Sequence, residues 1–118
     1  MSVRARRVFG GDRGSVAAEL AVALPIVLVT ALLGVGALTA AARQVALQDA
    51  AADAARLLGR GEGAAAASAV VSQAVDGAAF SHERRGDLAC ATASLDLAIG
   101  RFVTVPLRAS SCALDGGR

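Results

Sequence analysis

The chain has 118 residues, of which 55% are apolar, 3% aromatic and 19% charged, and its mean hydropathy is positive. This balance excludes an ordinary soluble domain. Residues 1–14 carry four arginines against one aspartate, a charge of +3, whereas residues 15–118 carry eight arginines against nine acidic residues, a charge of −1. A short basic start on a near-neutral chain indicates a membrane-topology signal and argues against nucleic-acid binding.

An uncharged run of 23 residues, Leu20 to Ala42, lies between Glu19 and Arg43. A helix of this length spans about 35 Å, enough to cross a bilayer core of about 30 Å. Pro25 inside the run removes one helix hydrogen bond and favours a kink, which membrane helices tolerate. The run therefore predicts a single membrane-crossing helix, and Glu19 needs an explanation because a carboxylate is unfavourable beside such a helix.

Several interpretations compete for residues 1–14. The segment is the start of an ordinary signal peptide that ends near residues 40–42, or a twin-arginine signal at Arg6 and Arg7, or a hydrophilic leader cut after Gly14. An uncut single-pass anchor is a further alternative. We favour the leader, because the apolar run is long, continues into an amphipathic helix, and follows a glutamate that a cleaved signal peptide leaves unexplained. A cleaved signal peptide would instead release a small secreted domain that starts near Arg43.

Two motifs flank the apolar run. Gly14, Ser15 and then Glu19, the fifth residue after the glycine, resemble a class III (type IV prepilin-like) signal, which an aspartyl prepilin peptidase cuts after the glycine. The longer pattern R-G-S-x-A-x-E-[FL]-A-x-x-L-P ends at Pro25, and R-Q-x-x-x-x-D-A-A-x-x-A-A-R follows at residues 43–56. Together they are similar to the TadE family of pilin-like proteins in Tad or Flp pili, most of all to its actinobacterial minor-pilin branch. One departure is Leu20, where many relatives carry phenylalanine.

The resemblance implies a minor pilin or pseudopilin that is processed between Gly14 and Ser15. It also implies that Glu19 of one subunit pairs with the new Ser15 amine of a neighbour during assembly, and Pro25 belongs to the same assembly segment. The alternative for Glu19 is an interfacial residue without a partner. The implied partners are the prepilin peptidase, other pilins and the inner-membrane platform proteins. The implied location is the cytoplasmic membrane, with the N-terminus inside, the C-terminal head outside and a surface pilus as a destination.

Beyond Arg43 the helical pattern continues. Apolar residues follow the i, i+3, i+4, i+7 spacing of a buried stripe, and they are Leu47, Ala50, Ala51, Ala54, Leu57 and Leu58. Polar residues take the other side, namely Gln44, Gln48, Asp49, Asp53, Arg56 and Arg60. Gly59 and Gly61 end the helix. We therefore expect a leader at residues 1–14, a transmembrane and amphipathic spine helix at residues 15–58, and a small α+β head at residues 61–118.

The head is predicted to contain a second, short helix and an antiparallel sheet of about three strands, a pilin-like plan. The helix runs from Ala64 to Asp76, with a buried stripe of Ala67, Val70, Val71 and Ala74 and with Gly77 at its C-terminal cap. The expected strands are Ala79 to Arg84, Leu88 to Ala98 and Phe102 to Leu114. Arg85-Gly86-Asp87 is interpreted as a hairpin turn and His82 as an exposed strand residue. Pro106 indicates an edge or bulged strand.

Cys90 and Cys112 fall on the second and third strands. We expect these two strands to be the outer two of the sheet. A hairpin centred on Arg101 pairs residues whose numbers sum to 202, which places the two cysteines opposite each other. Outside the cytoplasm such a pair forms a disulfide, and free buried thiols are the alternative. No pattern predicts a catalytic constellation, a metal site or a cofactor, so we expect a peptidase substrate and not an enzyme.

Overall fold

The computed structural model describes the backbone of residues 2–116 and the side chains of residues 14–116. Its elements are α1 (Ser2–Gly59), α2 (Ala64–Ala74), β1 (Ala79–Arg85), β2 (Leu88–Ile99) and β3 (Val103–Leu114). The predicted α+β class, with a long N-terminal helix, a short second helix and a three-stranded antiparallel sheet, is confirmed. The leader's arginine side chains lie outside the described residues.

The chain divides into two units, which we call the helical unit (Met1–Ala37) and the head unit (Leu38–Arg118). Within the described helical unit, large apolar side chains are exposed around the helix, such as Val22 at 67% and Leu32 at 71%. The segment Gly14–Gly59 is the one helix in the described part that is long and apolar enough to cross a membrane. This length and composition are compatible with a single-pass membrane anchor.

Within the head unit, the C-terminal part of α1 provides the apolar stripe on which α2 and the sheet pack. Five residues of the predicted stripe are buried and Leu57 is half-buried; the buried five are Leu47, Ala50, Ala51, Ala54 and Leu58. Ala55 is buried beside them. The spacing of i, i+3, i+4 and i+7 thus identified the inner face of this helix correctly, because one face of a 3.6-residue helix lies against the rest of the core.

The second helix is shorter than expected, and its inner face differs. α2 ends at Ala74, and Val75 already has an extended backbone with φ −137° and ψ 110°. Ala67 and Val71 are buried as predicted and Val70 is half-buried, but Ala74 is exposed. Val75 is fully buried in place of Ala74, because the 3.6-residue period no longer holds once the backbone leaves the helix.

The sheet has the strand order β1-β2-β3, and both pairings are antiparallel. The β1–β2 connection is a two-residue turn, with Gly86 at φ +60°, so the interpretation of residues 85–87 as a hairpin turn is confirmed. Pro106 lies on an edge strand, as expected. The expectation that both cysteines lie on outer strands is wrong for Cys90, because β2 pairs with a strand on each side and is central.

Alanine dominates the core of the head unit. It accounts for nine of the fourteen buried apolar residues in the described part, among them Ala89, Ala91 and Ala93 of β2. Small side chains allow helix and sheet backbones to approach closely. At Gly59 a Cβ atom would lie 2.7 Å from the carbonyl oxygen of Leu114, so this position of α1 requires glycine.

Candidate functional site: the helix start and the head that follows it

The predicted processing junction lies on an open stretch of α1. Gly14 and Ser15 are both exposed, and a Cβ atom added at Gly14 would meet no atom within 4 Å. The peptide bond between these two residues is therefore unobstructed by other described parts of the chain. Arg13, which precedes it in the motif, has no described side chain.

Glu19 is an exposed carboxylate one helical turn after Ser15. Residues four apart share a face of a helix, so Ser15 and Glu19 lie on the same side of α1. Among the described side chains, the ion pairs are Arg56–Asp53, Arg84–Asp115 and Arg85–Glu83, and Glu19 takes part in none of them. The Glu19 carboxylate therefore has no cationic partner among the side chains of residues 14–116.

The face that carries Glu19 is otherwise apolar. Ala18, Val22, Ala23 and Ile26 lie beside it in a shallow strip along α1. A second helix placed on this strip would bury small and branched side chains and would meet the Glu19 carboxylate at the strip's N-terminal end. Such a contact would combine a non-directional apolar surface with a single charge at one end.

Pro25 lies inside α1, and the helix continues past it. Proline has no amide hydrogen, so the carbonyl four residues earlier, at Ala21, lacks its usual helical donor. One turn later, Thr30 Oγ1 donates a hydrogen bond to the carbonyl oxygen of Ile26 at 2.8 Å. Thus, within residues 21–30, one carbonyl lacks its usual helical donor because of Pro25, and another accepts a hydrogen bond from the Thr30 side chain.

The two cysteines form the predicted disulfide. Cys90 of β2 and Cys112 of β3 are directly paired in the sheet, their Cα atoms are 4.0 Å apart, and the bond closes a separation of 22 residues. Cys90 is 2% exposed, whereas Cys112 is exposed. Next to them on the same face, Thr92 Oγ1 donates a hydrogen bond to Ser110 Oγ at 3.4 Å.

Two glutamines of α1 bind the free edge of β3, which the sequence did not predict. Gln44 Nε2 donates to the carbonyl oxygen of Arg108 at 2.9 Å, and Gln48 Nε2 donates to that of Ser110 at 3.3 Å. These bonds occupy carbonyls of an edge strand that would otherwise attract another strand. The available signal was the pair of glutamines four residues apart beside the apolar stripe.

A shallow cleft lies between the α1–α2 loop and β1, lined in part by Leu58, Gly63 and His82. His82 is exposed, as predicted, and stacks on Phe80 with a ring-centroid distance of 5.8 Å. Within residues 14–116, no three His, Cys, Asp or Glu side chains are grouped closely enough to hold a metal ion. The cleft therefore offers no ligand set for a metal.

No protein-family model, curated protein or solved structure matches the chain. The resemblance to the TadE family therefore continues to depend on the motifs of residues 13–56.

Proposed function

We propose that this chain is a pilin-like minor subunit, similar to the TadE family, of a Tad or Flp-type pilus or a related secretion apparatus. The observation that carries the proposal is the exposed carboxylate of Glu19, which lies one turn after the Gly14–Ser15 junction on an apolar face of a long helix. The same helix provides the buried stripe of an α+β head, so one element is long and apolar enough to cross a membrane and also supports the head.

In this proposal the chain enters the membrane with its basic leader in the cytoplasm. The charge of +3 on residues 1–14 supports that orientation, because positively charged segments remain on the cytoplasmic side. The disulfide between Cys90 and Cys112 supports an extracytoplasmic head, because disulfides persist in oxidising compartments. A prepilin peptidase then cuts after Gly14 and leaves Ser15 with a free α-amino group.

Assembly follows from the chemistry of that new terminus. The Ser15 ammonium of one subunit and the Glu19 carboxylate of a neighbour are opposite charges, and either charge alone is costly in the apolar interior of a filament. Pairing the two charges sets the axial register between subunits. The other partners in the proposal are the inner-membrane platform proteins. The chain itself is a substrate and a building unit, without catalysis.

The decisive experiment is the intact mass and N-terminal sequence of the protein recovered from its host's envelope. A start at Ser15 is expected. Gly14→Val should leave the chain uncut, whereas Gly11→Val, a matched change at another glycine of the leader, should not. A start near Arg43 would establish a secreted domain, and a start at Met1 would establish an uncut anchor; either result overturns the proposal.

Glu19 is tested separately in purified pili. Glu19→Gln keeps the shape and removes the charge, so incorporation should be lost although cleavage continues. Glu19→Asp keeps the charge on a shorter side chain and should retain part of the incorporation. If Glu19→Gln enters filaments at the wild-type level, the pairing role is refuted and the carboxylate is an interfacial residue without a partner.

A further inference from the structure

The glutamine bonds to β3 show which of its main-chain groups point away from the sheet. Gln44 and Gln48 bind the carbonyl oxygens of Arg108 and Ser110 at the edge of β3 that does not pair with β2. In an antiparallel strand the amide and carbonyl of one residue point to the same side, and alternate residues repeat that direction. The amide and carbonyl of Cys112 therefore point to this outer edge as well.

At Cys112 the outer edge of β3 is open. The two glutamines are four residues apart in α1, and the next residue of that series is Ala52, whose methyl group cannot donate a hydrogen bond. The edge is occupied again at Gly116, whose amide donates to the carbonyl oxygen of Gly59 at 2.7 Å. Within residues 14–116 no group bonds to the outward amide and carbonyl of Cys112.

The two halves of the disulfide differ in accessibility. Cys90 is 2% exposed, whereas Cys112 is exposed and lies on an edge strand. The neighbouring pair on the same face, Leu88 and Leu114, is 37% and 51% exposed. A thiolate of another protein can therefore reach the Sγ atom of Cys112 beside an apolar surface, whereas Cys90 is shielded.

We propose that an extracytoplasmic thiol–disulfide oxidoreductase acts on this head through Cys112 and binds the open edge of β3. An extended segment of that partner beside Cys112 exchanges two hydrogen bonds with its amide and carbonyl, which holds the partner's reactive sulfur next to Sγ. Cys90 is the resolving thiol, because its Cα atom lies 4.0 Å from that of Cys112 and the partner does not reach it. The proposal requires an oxidising compartment but not pilus assembly.

Oxidation of the head takes place in two exchange steps. The Cys112 thiolate attacks the partner's disulfide, which forms a mixed disulfide and releases the partner's other sulfur as a thiolate. The Cys90 thiolate then attacks Sγ of Cys112, which forms the Cys90–Cys112 bond and releases the partner's second thiolate. The two thiols of the head lose two protons and two electrons, and the partner's disulfide becomes a dithiol. Reduction is the reverse, with Cys90 as the leaving group.

The reverse reaction identifies the attacked sulfur in the unaltered chain. The oxidised full chain in detergent micelles is mixed with an excess of a thioredoxin-type protein that retains only its attacking cysteine, and the mixture is quenched with acid. Trypsin separates the two cysteines, because cleavage after arginine leaves Cys90 in residues 86–101 and Cys112 in residues 109–118. Mass spectrometry should find the probe protein on residues 109–118. Linkage to residues 86–101, or no linkage where dithiothreitol reduces the bond, overturns the proposal.

The open edge is tested by closing it. Ala52→Gln supplies a third amide in the glutamine series and should bind the Cys112 carbonyl. Reduction by the thioredoxin-type protein with both cysteines should then slow several-fold, whereas reduction by dithiothreitol, which needs no strand edge, should keep its wild-type rate. Ala42→Gln, at an exposed position of the same helix, should change neither rate. If Ala52→Gln slows both reagents equally, or slows neither, binding at the edge of β3 is refuted.

Discussion

Breaking the Cys90–Cys112 bond tests how strongly the head unit depends on it. The bond closes a separation of 22 residues, which corresponds to about 3 kcal/mol of stabilisation through the lost freedom of the unfolded chain. In a unit of this size each kcal/mol shifts Tm by about 4–8 °C. Reduction should therefore lower the Tm of the head unit by roughly 12–24 °C, a large effect for a core that consists mainly of alanine.

The assay is differential scanning calorimetry of the full chain in detergent micelles, with and without a phosphine reductant. Cys112→Ser is the better variant, because Cys112 is exposed and its replacement disturbs packing little. Cys90→Ser would place a hydroxyl group at a position that is 2% exposed. Cys112→Ser should melt at the temperature of the reduced wild type, and added reductant should not change the variant's Tm.

Agreement of the oxidised and reduced wild type within about 3 °C would refute the reasoning, because the loop-closure contribution would then be far below its expected size. A reductant-sensitive Cys112→Ser protein would show that the reductant acts on something other than this bond.

Three further variants probe the head unit, each measured by the same calorimetry. Gly59→Ala should lower the free energy of unfolding by about 1–3 kcal/mol, because its Cβ atom would lie 2.7 Å from a backbone oxygen of β3. Gly34→Ala in the same helix is its control, because a Cβ atom at Gly34 would meet no atom within 4 Å. Ala91→Leu overfills a position that is 0% exposed and should cost about 1–3 kcal/mol, whereas Ala98→Leu at an exposed position of β2 should cost less than about 0.5 kcal/mol. Arg84→Ala breaks an ion pair whose side chains are 66% and 37% exposed, so we expect a loss below about 1 kcal/mol.

Each of these expectations has an opposing result. A stabilised Gly59→Ala protein would mean that the higher helix propensity of alanine outweighs the steric clash of its Cβ atom with β3. Equal losses for Ala91→Leu and Ala98→Leu would mean that the core tolerates extra volume. A loss above about 2 kcal/mol for Arg84→Ala would mean that the ion pair acts as a buried pair despite its exposure.

The architecture of the head unit was predictable where the helical period or the register of a hairpin determines it. The apolar stripe from Leu47 to Leu58 followed from the helical period, because a stripe that excludes water must lie on one face. The β2–β3 register followed from a hairpin centred on Arg101, which places each pair of residues at numbers that sum to 202. The pairing of Cys90 with Cys112 was therefore available before any coordinates.

Other features depend on distances between elements, which local patterns do not contain. Gln44 and Gln48 lie on the polar side of the helical pattern, and only the position of β3 turns them into donors to a strand edge. The close approach at Gly59 and the burial of Val75 depend in the same way on where another element lies and where a helix stops. The roles of Gly14 and Glu19 in processing and assembly stay predictions, because they involve other proteins and a single chain's fold does not determine them.

The bonds between α1 and β3 have a consequence for the timing of export. In the proposed orientation α1 is inserted first and residues 103–114 cross after β1 and β2. Those residues provide both carbonyls that Gln44 and Gln48 bind and the second sulfur of the disulfide. Until they have crossed, the sheet has an open edge and Cys90 has no partner. In that orientation, oxidation of this cysteine pair marks chains whose third strand has crossed the membrane. An apparatus that accepts only oxidised heads would exclude chains whose third strand has not crossed the membrane.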